Sequence, residues 1–89
     1  MYKLVVVADP MQETEIYEIT QTNKMHKISQ LRIPQESITF IKNYSDSVKE
    51  KVDVTYIGPK DYIKYFISQA NKLNFINAHA EKEIGEQID

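Results

Sequence analysis

A mixed α/β sheet covered by helices is the fold class this sequence predicts, and three observations predict it. Two β-branched runs, YKLVVVA at Tyr2–Ala8 and VDVTYI at Val52–Ile57, read as interior strands. Two alternating segments lie between them, separated by a short polar turn. The apolar spacing then changes to a helical period, once before the second run and once after it. The resulting order is β-β-β-α-β-α.

The elements follow in turn. Tyr2–Ala8 shows little alternation, as expected of a strand buried on both faces and central in its sheet. Asp9-Pro10 closes it, because Pro lacks the N–H a ladder needs. In Glu13–Thr20, Thr14, Ile16 and Glu18 point one way and Glu15, Tyr17 and Ile19 the other. Thr22-Asn23-Lys24 is the turn, and Met25–Ile33 returns as the second arm of a hairpin until Pro34 stops it. These two strands belong nearer a sheet edge.

Gln35–Glu50 is the first helix, with Ile38, Ile41, Tyr44 and Val48 on one stripe and Phe40 widening it. Pro34 suits its first turn. Its end is left open by Asn43–Ser47, which holds several weak helix formers. Val52–Ile57 is the fourth strand. The second helix, Tyr62–Leu73, places Ile63, Phe66, Ile67, Ala70 and Leu73 on one face. Asn74–Ala78 has room for a short fifth strand. Residues 1–80 form a single domain, and 81–89 read as a polar tail.

Connection rules turn this order into a topology. The first three strands form an antiparallel meander. The helix after the third strand is then a right-handed crossover. The two most hydrophobic strands belong side by side and parallel inside the sheet, so the expected order is 3-2-1-4. A ferredoxin-like sandwich needs a helix directly after the first strand, and Pro10–Thr14 leaves no room for one.

This order, with VVVADP closing the first strand on an Asp, resembles the ribonuclease H-like superfold. The resemblance covers residues 1 to about 78. It implies a metal-dependent nuclease with acidic ligands at the ends of strands one and four, which here are Asp9 and Asp61, and a helix-one acid, for which Glu36 is nearest. Mg²⁺ would be its cofactor, two ions polarising a phosphodiester and activating water. The chain departs from that pattern after Asp9, where PMQETE carries neither Gly nor Ser. The further acid near the C-terminus has only Glu81 or Glu83 to supply it.

Without the resemblance, the corner Gly58-Pro59-Lys60-Asp61 stands out. Parallel neighbours bring Asp9 and this corner together at one end of the sheet, where open α/β sheets bind ligands. Gly58 permits a tight turn, Pro59 suits a helix start, and Lys60 with the free N–H groups of the helix favours an anion. Gly58 and Lys60 are therefore candidate ligand- or anion-binding residues. The structural alternative makes Asp61 a first-turn carboxylate on the helix dipole and Asp9 a turn residue before Pro.

Composition removes several classes. The chain has 89 residues and no Cys, which excludes disulfides, thiolate zinc sites and Cys nucleophiles and favours a cytoplasmic setting. An apolar share of 42% is ordinary for a globular protein and argues against wholesale disorder. A net charge of −2 gives no electrostatic case for nucleic acid. Lys42, Lys49, Lys51, Lys60, Lys64 and Lys72 nevertheless gather in the second half and would make a basic face across the helices, where Tyr44, Tyr56, Tyr62 and Tyr65 offer stacking surfaces. No apolar run is long enough to span a bilayer, and MYKLVVVADP reads as a strand rather than a signal peptide. Gly58 and Gly85 are the only glycines, so there is no Walker A loop. His26 and His79 have no partner at metal-pair spacing. Abundant Ile, Lys, Asn and Tyr fit a low-GC bacterial, phage or mobile-element genome.

The expected function is a small non-catalytic binding module without a cofactor. It works through protein contacts, as a homodimer or as a phage or mobile-element accessory factor. The hairpin at residues 13–33 offers an edge strand to a partner. The alternatives are the Mg²⁺ nuclease and a nucleic-acid-binding accessory protein.

Overall fold

The computed structural model describes residues 2–81. It contains β1 (Tyr2–Val7), β2 (Thr14–Ile19), β3 (Met25–Leu31), α1 (Gln35–Val48), β4 (Val52–Ile57), α2 (Lys60–Ala70) and β5 (Ile76–Ala80). The five strands form one sheet in the order β3-β2-β1-β4-β5. This is the expected 3-2-1-4 order with the short fifth strand outside β4. The segment 82–89, expected as a tail, lies outside the described residues.

Chain direction accounts for the layers. β1, β2 and β3 pair antiparallel, whereas β1–β4 and β4–β5 pair parallel. Both crossovers step the same way across the sheet, so right-handed connections put α1 and α2 on one face. The helices contact each other there. Leu4, Val6, Ile16, Val52, Val54 and Tyr56 are fully buried beneath them, with Ile41, Ile63, Phe66 and Ala70 packed from above.

The first strand was expected to be buried on both faces, and the structure corrects this. Leu4, Val6 and Ala8 are buried, but Val5 and Val7 are only half-buried and Lys3 is exposed. Among the described residues no element covers that second face. The continuous β-branched run reflects a central position in the sheet, where parallel neighbours favour β-branched residues on both sides.

Helix α1 runs through the weak formers at Asn43–Ser47. Ser37 and Ser45 are buried, and each finds a backbone acceptor: Ser37 Oγ donates to the Pro34 carbonyl at 2.6 Å and Ser45 Oγ to the Asn74 carbonyl at 3.3 Å. Satisfied in this way, the serines let the helix approach its neighbours without leaving an orphaned hydroxyl. Tyr44 donates to Glu18 on β2, and burial, followed by that carboxylate, raises the phenol pKa so that it stays a donor. The helix ends where Lys49 takes a left-handed conformation, φ 54°.

Polar groups on the open face are tied to one another. Lys27 Nζ lies 3.0 Å from Glu15, and Tyr17 donates to the same carboxylate at 2.9 Å. At the other side Asp53 accepts from Asn77 at 2.9 Å and lies 3.0 Å from His79 Nε2. The β3 edge is broken by an irregularity opposite Ile16/Tyr17, which leaves Ile28 outside the register. A bulge and exposed lysines are devices that hinder strand addition.

The Lys27 hydrogen bond, followed by that of Tyr17, holds the Glu15 pKa below its ordinary 4.5. A depressed carboxylate pKa adds stability that is complete above the unfolded value and is lost as pH falls through the folded one. Urea unfolding should therefore show a stability loss below pH 4.5 that Glu15→Gln makes shallower; an unchanged acid limb would assign the loss to other carboxylates.

Candidate functional site

The carboxyl ends of β1 and β4 lie side by side as expected. The parallel ladder runs to Val7↔Ile57, and the Ala8 N–H extends it by donating to the Ile57 carbonyl at 2.9 Å. The turn after β4 then passes very close to β1. A Cβ on Gly58 would stand 2.0 Å from the Ala8 carbonyl oxygen and 2.9 Å from Ile63 Cγ2. That close approach is why glycine occupies the corner. Pro59 follows in an extended conformation, and its carbonyl accepts from both Tyr62 and Ile63 at 3.0 and 2.9 Å. Helix α2 starts at Lys60, two residues earlier than its apolar stripe indicates, and no side chain caps it.

Beside this corner lies a cavity of about 320 Å³ lined by Tyr56, Ile57, Gly58, Lys60, Ile63, Ala80 and Glu81. It sits where β4, β5 and the start of α2 meet. The Glu81 N–H donates to the Tyr56 carbonyl at 3.1 Å and joins the end of β5 to β4. Two predicted ligand-binding residues, Gly58 and Lys60, belong to its wall.

Tyr56 is the unusual member of that wall. It is fully buried, and among the described residues its hydroxyl has no hydrogen-bond partner. Burial raises its pKa, so it remains a protonated donor. The stacking surface expected of Tyr56 is therefore absent: strand alternation puts it in the core with Val52 and Val54. Tyr65 is exposed, and Tyr44 and Tyr62 are half-buried.

The acidic candidates have local roles. Asp9 accepts the Met11 N–H at 2.8 Å, which makes the turn after β1. Asp61 is exposed in the first turn of α2, and Glu36 is exposed in the first turn of α1; both favour the positive end of their helix dipole. All three lie at the same end of the sheet, but among the described residues no three His, Asp or Glu side chains gather as a metal-holding group. The six lysines divide between the two ends of the molecule: Lys60 and Lys64 start α2, whereas Lys49, Lys51 and Lys72 lie near the opposite end. Lys42 is paired with Asp46 at 3.0 Å.

Sequence reasoning missed two polar clusters. The Asp53–His79–Asn77 group needs the β4–β5 register before its members meet. Asn71, at the end of α2, bonds the backbone of Ala78. Neither has a local motif. The orphaned hydroxyl was signalled only by Tyr56 sharing strand parity with Val52 and Val54. Compared with family models, curated proteins and solved structures, the chain matches none of them.

Gly58→Ala should destabilise the protein by about 3 kcal/mol or more, because a backbone carbonyl cannot move aside as a side chain would. Urea unfolding measures this, and a cost below about 1 kcal/mol would mean that the β1–β4 end relaxes easily.

Proposed function

We propose that the protein is a small binding module that holds a small anionic ligand in the cavity between β4, β5 and the start of α2. The observation that carries this is the cavity itself, which is bounded by Lys60 and by the uncapped start of α2. The uncapped start of α2 and the Lys60 ammonium favour negative charge. Ile57, Ile63 and Ala80 favour an apolar body. Asp61 and Glu81 partly neutralise this end, so a singly charged group suits it better than a dianion. The ligand class is a short monocarboxylate with an apolar chain.

A second reading rests on a different observation. Parallel strands are usually covered on both faces, yet Val5, Val7 and Ile57 form a half-buried apolar strip on the face without helices. Self-paired polar groups flank the strip, an arrangement like the apolar core and polar rim of a protein interface. This supports protein contact or self-association through that face. Sedimentation equilibrium should then show a mass that rises with concentration and falls back in Val7→Lys; a concentration-independent monomer would count against it.

For the cavity, titration of ¹⁵N-labelled protein with short-chain carboxylates and inorganic phosphate should give saturable shifts at residues 57–63 and 80–81. Lys60→Ala should weaken carboxylate binding about tenfold. Tyr56→Phe should stabilise the protein by about 1 kcal/mol, since it removes an unsatisfied buried hydroxyl. Shifts that never saturate, or are spread over the whole surface, would overturn the proposal.

A further inference from the structure

Phe75, in the turn between α2 and β5, keeps its ring largely in water: the residue is 62% exposed. Its backbone is left-handed, with φ 68°. That conformation suits Gly or Asn and is costly for a bulky side chain. The ring gains little burial in return, so the fold alone does not account for a Phe at this position. Its backbone is fixed against β4, because the Phe75 carbonyl accepts from the Val52 N–H at 2.8 Å. The turn therefore presents an anchored aromatic ring at the start of β4 and β5, the end of the sheet opposite Lys60.

Cations stand on both sides of this ring. The residues before it, Lys72 to Asn74, border a hollow of about 250 Å³ that Lys42 also lines. The residue after it, Ile76, borders a second hollow of about 270 Å³ with Lys51 in its wall. Lys51 and Lys72 are exposed, and among the described residues neither is paired with a carboxylate. The acids beside them are engaged within the fold: Asp46 with Lys42, and Asp53 with Asn77 and His79. The two free ammonium groups therefore flank the ring from opposite sides along the chain. With Asp46, Glu50 and Asp53 interleaved, the surface suits a partner whose negative charges arrive at separate points. A continuous anionic surface such as a membrane would meet those acids as well.

We propose that this end of the molecule binds single-stranded nucleic acid, with one base stacked on Phe75 and the phosphates on either side of it at Lys72 and Lys51. An aromatic ring flanked by cations is the elementary unit of such recognition, and it is tolerant of sequence because every base has a π-face. In a duplex those faces are already stacked on one another, so the partner is the single strand. The surface lies at the opposite end of the sheet from the cavity beside Gly58 and is independent of what that cavity holds.

Fluorescence anisotropy with a labelled oligothymidylate of about ten nucleotides, at low salt, tests it. Binding should saturate, and the duplex with the complementary strand should bind more weakly. Phe75→Asn, which suits the left-handed turn, should keep the fold by circular dichroism and bind about tenfold more weakly with an unchanged salt dependence. Lys51→Ala and Lys72→Ala should each weaken binding and reduce the slope of log affinity against log salt by about 0.7. The chain has no Trp, so Phe75→Trp should retain binding and report the stacked base by quenched emission. Vesicles of mixed phosphatidylserine and phosphatidylcholine should leave the emission of that variant unchanged. The proposal is overturned by oligonucleotide binding that does not saturate, by equal affinity in folded Phe75→Asn, or by an emission shift on vesicles without oligonucleotide binding.

Discussion

Parallel pairing of β1 with β4 runs unbroken from Tyr2↔Val52 to Val7↔Ile57, and most of the architecture follows from it. Parallel neighbours cannot be joined by a tight turn, so the chain must cross the sheet between them. The hairpin and α1 supply that crossover. Because the ladder continues into Ala8, its carbonyl is driven against the corner that leaves β4, and only glycine fits there. The same corner directs α2 back over the sheet. The place of Lys60 at the start of α2 depends on this close approach.

A sheet with helices on a single face has to deal with its other face and its two edges. Here the polar groups on the open face are paired: Glu15 with Lys27 and Tyr17, Asp53 with Asn77 and His79. Such internal pairing lowers the cost of removing that surface from water. The β3 edge is irregular and charged, and on β5 the Asn71 amide bonds both backbone groups of Ala78. Polar groups on the inner side of α1 are likewise paired, as Ser37, Ser45 and the half-buried Tyr44 show. Against that background the Tyr56 hydroxyl, sealed in the core without a partner among the described residues, is an exception.

Much of the fold was legible because hydrophobic pattern and chain connectivity are both local or rule-bound. The β-branched runs located β1 and β4, the polar turn at Thr22-Asn23-Lys24 located the hairpin, and Ile63, Phe66 and Ala70 located α2. Gly58 and Lys60 were legible as members of a strand-to-helix corner. Other features were not. A strand whose second face is half-buried has the same β-branched composition as one buried on both, so the open face of β1 could not be read from YKLVVVA. The partners of Asp9, Asp61 and Glu36 depend on where each turn points the carboxylate.

By itself the sequence determined the kind and order of the elements, the hairpin, the central place of the two β-branched strands and the glycine at the corner. These depend on periodicity, on proline and glycine stereochemistry and on the handedness of crossovers, all of which act along short stretches of chain or through general rules. Only the tertiary structure decided that among the described residues both helices lie on one sheet face, that Asp53 meets His79, that Tyr56 is fully buried and that Asn71 bonds the backbone of Ala78. Each joins residues brought together by register between elements. Register arises from packing the whole core at once, and no local pattern encodes it.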